Sequence, residues 1–433
     1  SQEDKANEAI SLAVSLHPDS VDPQVFLSRQ EMFNNRMDRA YEICNAIPNQ
    51  DDREVKFLRA ELLIRDERPA EAELLLQAAC ECSNEEQDHF IYDSIGIFMD
   101  YMLWDYAESW CMRLKHISPK YKGLPEIEAE IKMCTGDYDS AIDILNGILD
   151  INSYNSQAWN MLAESYFSKG TFEEAIEACQ FALAINEDDF KAISTLADCY
   201  YHTSSFSKAH EYYEKALMMR QDDALYHMDA VSLFQMGEFE QALVQLKKAR
   251  EIIEDDPEKE IYVAMQLATV ASKLHLFDEA MSYLKRVKSL IRDKRGLIDY
   301  EVLYGQVMLE NGFADKAREH FENALTKCED TDKAVLVIGI AYYEQEHYRM
   351  AAEILSKLAD KPDSVTANFA LPYLALCHMK LENTELYLKY LRLATTHCTE
   401  LTAQLFEELF PGVQPEDIYY YAYKNIYGCF PNI

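Results

Sequence analysis

Acidic and aromatic side chains recur together, at a nearly constant interval, in the middle of this 433-residue chain. The carboxylates are Glu130, Glu164 and Asp198, and the aromatic rings are Phe167, Tyr201 and Phe234. A row of carboxylates selects positively charged ligands, and aromatic rings are the side chains that most often anchor a protein partner. The two rows predict binding of a cationic or amphipathic protein segment. The other interpretation is an ordinary wet, acidic surface.

Sequence motifs of catalysis and of cofactor binding are absent from the chain. It has no glycine-rich phosphate loop, no His-Glu-x-x-His and no Gly-x-Ser-x-Gly. The one close cysteine pair is Cys80 and Cys82, and no second pair or histidine stands at zinc spacing from it. We therefore expect a protein that is not an enzyme and that uses no metal and no cofactor.

Acidic residues outnumber basic ones by 76 to 41, which gives a formal net charge of −35 and a pI near 4.6. Such a field repels the phosphates of nucleic acids and anionic membrane surfaces. No apolar run in the sequence is long enough to cross a bilayer. We expect a protein partner, no nucleic acid and no membrane insertion. The expected location is the cytoplasm, or the periplasm if a signal segment precedes Ser1.

A short motif, an aromatic residue three positions before an alanine, recurs through most of the chain. Its alanines are Ala107, Ala141, Ala175, Ala209, Ala242, Ala280 and Ala351. The clearest copy spans residues 156–189, where Trp159 and Tyr166 share one apolar helical stripe, Gly170 makes a turn and Phe172 begins a second stripe. A fixed period of this length is typical of solenoids, because each helix pair buries its apolar faces only by stacking on the next.

The same segment resembles the tetratricopeptide repeat, whose pattern is Trp-x-x-Leu-Gly-x-x-Tyr, then Ala-x-x-x-Phe, then Pro. Here the pattern is carried by Trp159, Leu162, Ala163, Tyr166, Ala175 and Cys179, with Glu187 in the position of the proline. Alanine and cysteine in place of glycine and phenylalanine keep the packing small and apolar. The resemblance implies an all-α fold over nearly the whole chain, a right-handed superhelix of antiparallel helix pairs.

The resemblance also implies where a partner binds, because the first helix of each repeat lines the concave groove in this family. Carried over position by position, the groove residues are Glu130, Asn160, Glu164, Phe167, Lys191, Asp198, Tyr201 and Phe234. The family's carboxylate clamp requires lysine, asparagine and arginine in these helices. Asn160 and Lys191 are present without an arginine, so we do not expect the groove to capture an acidic chaperone tail.

Irregularities in the repeat divide the chain into four segments. We expect a partial repeat or capping helix at 1–20, a regular array at 21–256, a second array at 257–401 and an aromatic-rich cap at 402–433. The boundary near residue 256 follows from connectors that lengthen there. Eleven repeat units are expected from residue 21 onward.

Several single residues test the assigned register. Cys44, Cys111 and Cys179 fall on the apolar stripes of second helices, so we expect them to be buried and reduced. Asp229 replaces a leucine of the pattern, and the local packing is expected to differ there. Tyr387 replaces an alanine, which predicts either a wider helix pair or a ring turned outward.

A single basic run interrupts the acidity and comprises Lys285, Arg286, Lys288, Arg292, Lys294 and Arg295. It is either a solvated helix end favoured by the helix dipole or a docking patch for an acidic segment, such as the acidic face of another copy. The tyrosine-rich tail at 419–427 is either a cap for the last repeat or a surface for a partner or a homodimer.

These patterns favour a non-catalytic protein–protein interaction scaffold that binds a protein or peptide partner in its concave groove. The alternative is a structural subunit of a larger complex that is assembled through the convex face or the C-terminal tail. Both interpretations need the same fold, and they differ in which surface contacts the partner.

Overall fold

Helical hairpins make up the described part of the chain. The computed structural model describes residues 12–13, 16 and 20–431, apart from 82–86, 254–255, 328–330 and 360–363. These residues form 24 α-helices and one short 3-10 helix, and no strand occurs among them. The predicted all-α fold class is therefore confirmed. The predicted partial repeat at 1–20 lies almost wholly outside the described residues.

The chain divides into two compact units, Ser1–Thr203 and Ser204–Ile433. The helices of the first unit are α1 Val21–Phe33, α2 Met37–Ala46, α3 Arg53–Arg65, α4 Pro69–Glu81, α5 Gln87–Asp100, α6 Trp104–Ile117, α7 Leu124–Cys134, α8 Tyr138–Ile151, α9 Ser156–Lys169, α10 Phe172–Ile185 and α11 Phe190–His202. Odd-numbered helices are the first helices of successive repeats, and even-numbered helices are the second. The predicted boundary near residue 256 stays a prediction.

The second unit continues the same alternation. Its helices are α12 Phe206–Met219, α13 Asp223–Gln235, α14 Phe239–Ile252, α15 Pro257–Lys273, α16 Phe277–Leu290, α17 Lys294–Glu310, α18 Ala314–Lys327, α19 Thr331–Glu344, α20 Tyr348–Ala359, α21 Val365–Lys380, α22 Thr384–His397, α23 Thr399–Phe406, a 3-10 helix Pro415–Asp417 and α24 Ile418–Tyr427. Counted along the chain, α1 to α22 are eleven successive pairs, the number predicted from residue 21 onward.

Each first helix is followed by one residue with a left-handed backbone conformation. In four turns this residue is a glycine: Gly136, Gly170, Gly237 or Gly312. In the other seven it is Asn35, Glu67, Met102, Ser204, His275, Glu346 or Glu382. At Gly170 the φ is 83°, and the amides of Gly170 and Thr171 donate to the carbonyls of Phe167 and Tyr166 at 2.9 and 3.0 Å. These bonds satisfy carbonyls that the helix end would leave unpaired, and the turn reverses the chain.

The second helices begin at the aromatic residues that the sequence motif identifies. Helix α6 begins at Trp104, α8 at Tyr138 and α10 at Phe172, and the seven motif alanines are fully buried. An alanine at this position allows the close approach of the neighbouring helix. Cys44, Cys111 and Cys179 are likewise buried and free, as predicted.

Close helix crossings also require glycine at two positions of the second unit. Gly305 lies inside α17, and a Cβ atom placed on it would come within 2.5 Å of Cε1 and 2.6 Å of Cδ1 of Phe321 on α18. Gly339 on α19 is equivalent, because an added Cβ would overlap the side chain of Leu355 on α20. By contrast, a Cβ on Gly147 of α8 would meet nothing within 4 Å.

Two residues that break the repeat pattern are buried. Tyr387 lies in the core of the last helix pair, so the prediction that its ring turns outward is wrong. Asp229 has no exposed surface, and its carboxylate accepts hydrogen bonds from Nδ1 of His210 at 2.6 Å and from Nε2 of Gln245 at 2.7 Å. Burial raises the pKa of Asp229 despite these bonds. The predicted departure in packing is therefore a polar network in place of an apolar contact.

Candidate partner-binding site

An open cavity of about 390 Å³ is lined by three consecutive first helices of the first unit, α7, α9 and α11. Four of the eight predicted groove residues line it: Glu130 on α7, Asn160 and Glu164 on α9, and Lys191 on α11. Asp189, the residue that caps the N-terminus of α11, lines it as well. Three carboxylates and one ammonium give this site, termed the acidic cavity, a net negative charge.

Asn160 lines the acidic cavity and contains a buried acceptor atom without a hydrogen-bond partner in the described part of the chain. Its Nδ2 donates to Oδ2 of Asp189 at 2.8 Å, and because an ionised carboxylate only accepts, this bond fixes which amide atom is the oxygen. Asn160 is 8% exposed, and its Oδ1 has no hydrogen-bond partner among the described residues. A buried acceptor left unpaired costs about 1–3 kcal/mol. An N–H group of a ligand would remove that cost.

Asp189 holds the asparagine in place and was not identified from the sequence. Its carboxylate accepts from Oγ of Ser156 at 2.9 Å and from the backbone amides of Lys191 and Ala192 at 3.1 and 3.2 Å. Burial tends to raise the pKa of Asp189, but the hydrogen bonds from Asn160, Ser156 and the two amides outweigh it and hold the pKa below its ordinary value. The group is therefore ionised at neutral pH. The sequence signal that could have found it is an acidic residue immediately before an apolar helical stripe.

Glu164 and Lys191 form an ion pair across the acidic cavity, with Nζ 2.9 Å from Oε2. Both side chains are substantially exposed, so water screens the pair and its contribution to stability is about 0.2–1 kcal/mol. The pair neutralises part of the predicted acidic row, and Glu130 is an exposed carboxylate of the same cavity. The pKa of the Cys134 thiol is raised, mainly by burial and to a smaller extent by the negative charges of Glu130 and Glu164. Both carboxylates are therefore close enough to Cys134 to affect the same thiol.

The two aromatic residues of the first unit meet at a third ring. The ring of Phe167 lies 5.4 Å from that of His202, and the ring of Tyr201 lies 5.5 Å from it. Phe172 stacks on His202 at 4.8 Å with an interplanar angle of 6°. Phe167 and Tyr201 are therefore partly buried members of an aromatic cluster rather than free rings. His202 and Phe172 were missed, although His202 directly follows Tyr201 in the sequence.

Asp198 and Phe234 do not line the acidic cavity. Asp198 lies three residues before Tyr201 on α11, so the two share one face of that helix. Phe234 belongs to the second compact unit, on α13, where its ring lies 5.1 Å from that of Phe239. The single row of all eight predicted residues therefore stays a prediction.

An equivalent acidic position nearer the N-terminus is neutralised. Glu61 on α3 is nearly buried, and it accepts from Nε of Arg29 at 3.0 and 3.1 Å and from Nη2 at 2.6 Å. This forked geometry is typical of a strong arginine–carboxylate pair. The acidic row therefore does not extend unchanged into this repeat.

No metal-binding group and no membrane-spanning helix occurs among the described residues. Among them, no three His, Cys, Asp or Glu side chains stand together as a metal-binding group, and no helix is both long and apolar enough to cross a bilayer. Cys82 lies outside the described residues, so the Cys80–Cys82 pair is not tested.

Comparison with solved structures finds helical repeat proteins. Yeast Tom70 shares 15% identity with a TM-score of 0.46, covering 94% of this chain and 92% of that one. Cut9-Hcn1, from the APC/C hetero-tetramer, shares 14% identity with a TM-score of 0.39, covering 93% and 98%. YrrB, described as a TPR protein with an unusual peptide-binding site, shares 21% identity with a TM-score of 0.37, covering 44% and 95%. The TM-scores are low, and these likenesses carry no weight for function.

Comparison with protein families gives a direct match in the middle of the chain. No curated protein matches the sequence. Two family models of the tetratricopeptide repeat match residues 129–190 and 166–228. The matched region contains the clearest sequence motif and the helices of the acidic cavity, and the same helix pairs recur on both sides of it. Residues 129–228 therefore match the tetratricopeptide repeat family.

Proposed function

We propose that the chain is a non-catalytic scaffold that binds a cationic or amphipathic segment of a partner protein at the acidic cavity. The observation that carries this proposal is Asn160, whose nearly buried amide is fixed by Asp189 and has an unpaired Oδ1. Asn160 lines a cavity that Glu130 and Glu164 also line. A peptide backbone supplies N–H donors, and a lysine or arginine side chain supplies the matching positive charge.

The helical geometry supports a second, apolar contact beside the charged one. Glu164 and Phe167 are three residues apart on α9, and Asp198 and Tyr201 are three apart on α11, so each pair lies on one helix face. A segment whose basic residue pairs with Glu130 would place its next apolar side chain toward the cluster of Phe167 and Tyr201. Aromatic anchors of this kind slow dissociation, whereas the carboxylates speed association.

The test uses three single variants of the full chain. Asn160→Ala removes the unpaired acceptor, while Asp189 keeps its bonds from Ser156 and from two backbone amides. Glu130→Lys reverses one exposed carboxylate without breaking the ion pair of Glu164. Glu173→Lys is the matched control, because Glu173 is an exposed glutamate of the second helix α10 and does not line the cavity.

Wild type and variants are immobilised, exposed to native lysate at low and high salt, and the retained proteins are identified by mass spectrometry. For a partner purified from the wild-type column, Asn160→Ala is expected to weaken binding by about 2- to 10-fold, as one hydrogen bond of about 0.5–1.5 kcal/mol is lost. Glu130→Lys is expected to slow association, and Glu173→Lys to bind like wild type. Equal binding by all three variants would show that the partner uses another surface.

A second proposal, assembly through the C-terminal segment, is favoured by exposed aromatic rings on and after α24. Tyr420, Tyr421, Tyr427 and Phe430 are all exposed, whereas Ile418 and Ala422 of the same helix are buried. Neighbouring exposed aromatic rings are typical of protein interfaces. Replacing Tyr421 and Phe430 by serine should abolish self-association or complex formation if this surface is used. Sedimentation equilibrium of the wild type and of this double variant measures self-association directly.

A further inference from the structure

The second compact unit contains a cavity of about 800 Å³ whose charge is opposite to that of the chain. Its basic lining residues are Lys294, Arg295, Lys327 and Lys333, and Asp299 is the one carboxylate that lines it. The whole chain carries a net charge of −35, so four cations against one carboxylate is a local reversal. This site is termed the basic cavity.

The cations of the basic cavity lie together at one end of it. Lys294 and Arg295 are the first two residues of α17, Lys333 is the third residue of α19, and Lys327 is the last residue of α18. First helices of successive repeats run in the same direction, so the N-termini of α17 and α19 lie at the same end of the stack. The partial positive charge of these helix ends adds to that of the side chains.

Two of these cations are uncompensated by ion pairs within the described part of the chain. Nζ of Lys327 lies 3.6 Å from Oε1 of Glu301, whose other oxygen lies 2.5 Å from Nδ1 of His320. Arg295 and Lys333 are exposed, and neither forms an ion pair with a described residue. Asp293, which caps α17, interacts electrostatically with Arg295 without forming an ion pair with it, so an anionic ligand would meet both cations without having to break a salt bridge.

The rest of the basic cavity is elongated, and its lining combines six apolar residues with three uncharged polar ones, Gln266, Thr269 and Gln306. Its apolar lining residues are Met265, Ile298, Val302, Leu303, Ala334 and Val337. Along α17 the lining extends from Lys294 to Gln306, which is about 18 Å at the rise of an α-helix. An extended polypeptide of about five or six residues covers that length. A ligand that fills the cavity therefore carries negative charge at one end and apolar groups along the remainder.

We propose that the basic cavity binds a polypeptide segment of a partner protein in which a cluster of acidic residues adjoins apolar ones. A second copy of this chain is a poorer occupant, because bringing together two bodies that each carry −35 is opposed by long-range repulsion. A short acidic segment brings only a few negative charges, and these lie close to the four cations of the cavity, within the distance of about 8–10 Å over which charges interact at ordinary salt. This site does not depend on the acidic cavity, which belongs to the other unit.

The experiment measures fluorescence anisotropy of a labelled synthetic peptide with an acidic half and an apolar half, titrated with the full chain at low salt. Two control peptides carry lysines in place of the acidic residues or serines in place of the apolar ones. The test variant is the double substitution Arg295→Glu with Lys333→Glu, both at exposed positions. The double substitution Lys285→Glu with Lys288→Glu is the matched control for charge, because both are exposed lysines of the same basic run that do not line the cavity.

The acidic–apolar peptide is expected to bind more tightly than either control peptide and to weaken as salt rises. The variant Arg295→Glu with Lys333→Glu is expected to weaken binding at least about tenfold, equivalent to about 1.4 kcal/mol, and Lys285→Glu with Lys288→Glu to leave it unchanged. Ile298→Ser, a partly buried position on the cavity floor, should weaken binding of the acidic–apolar peptide but not of the serine control. Circular dichroism and thermal midpoints confirm that each variant is folded.

Three results would overturn the proposal. The first is equal binding of the lysine peptide, or no loss in the double variant. The second is full displacement of the peptide by an equal concentration of tripolyphosphate, which would assign the site to a small anion. The third is self-association of the wild type that the double variant abolishes in sedimentation equilibrium, which would assign the site to a second copy. None of these results tests the binding proposed at the acidic cavity, where Glu130 and Asn160 lie.

Discussion

Replacing Gly305 by alanine is expected to destabilise the second unit, although alanine is the better helix former. Alanine in a helix interior is favoured over glycine by about 0.5–1 kcal/mol. Against this, the added methyl group would lie 2.5, 2.6 and 3.0 Å from three ring atoms of Phe321, where carbon atoms normally stay about 3.5–4.0 Å apart. Phe321 is buried and its ring lies 5.3 Å from that of Tyr342, so it has no free space to enter.

Overpacking of a filled core costs about 2 kcal/mol, the middle of the usual range, so after the helix-forming gain of about 0.5–1 kcal/mol the net destabilisation expected for Gly305→Ala is about 1–1.5 kcal/mol. The assay is native-state hydrogen exchange in α17 and α18, where a loss of 1–2 kcal/mol speeds exchange by about 5- to 30-fold. Gly147→Ala is the matched control, because nothing lies within 4 Å of its Cβ position and only the helix-forming gain remains. Phe321→Leu should destabilise the Gly305→Ala variant less than it destabilises the wild type, because the smaller side chain removes the overlap. Exchange in Gly305→Ala that is as slow as in wild type would refute the overlap.

The further predictions concern three buried side chains, those of Asp229, Cys179 and Ala175. Asp229→Ala should cost about 1–3 kcal/mol, because the groups of His210 and Gln245 that bond Asp229 lose their acceptor. Because the pKa of Asp229 is raised, its favourable contribution is present below its ordinary value of 3.8 and is lost as pH rises through the folded-state pKa. Asp229→Asn does not titrate and should therefore gain stability relative to wild type from pH 4 to pH 7 in urea unfolding, and an unchanged difference would contradict this. In timed maleimide labelling followed by mass spectrometry, exposed Cys134 should react well before buried Cys179. Ala175→Leu should overpack a fully buried position and cost about 1–3 kcal/mol, so an unchanged melting profile would count against the assigned register.

The fold followed from the sequence because its signals are local. An aromatic residue, two positions of any type and an alanine place a helix start and a buried contact within four residues, and α6, α8 and α10 begin at Trp104, Tyr138 and Phe172 as that spacing predicts. The turn residues were harder to predict from the sequence, because Met102 and His275 adopt the same left-handed conformation as Gly170. Closure of the hairpin, and not the identity of the residue, imposes that conformation.

The candidate sites were only partly predictable, because their chemistry depends on distances between repeats. Glu164 was identified as a groove carboxylate, but its pairing with Lys191 depends on how α9 and α11 stack. Asp189 reads as a helix cap in the sequence, and only the packing shows that it also fixes Asn160. The basic cavity draws its cations from three separate helices, of which the basic run of the sequence supplied Lys294 and Arg295 alone.

The left-handed turn residues leave this array with unused capacity for stabilisation. Seven of the turns place a residue other than glycine at a φ between 56° and 61°, a region that side chains with a Cβ occupy at a cost of about 1 kcal/mol or more. Glycine at Glu67, Met102, His275, Glu346 or Glu382 would relieve that strain and would touch no helix face. Because each turn belongs to a different helix pair, the gains should add. A protein engineer could therefore raise the thermal tolerance of the array one hairpin at a time, with both cavities left as they are.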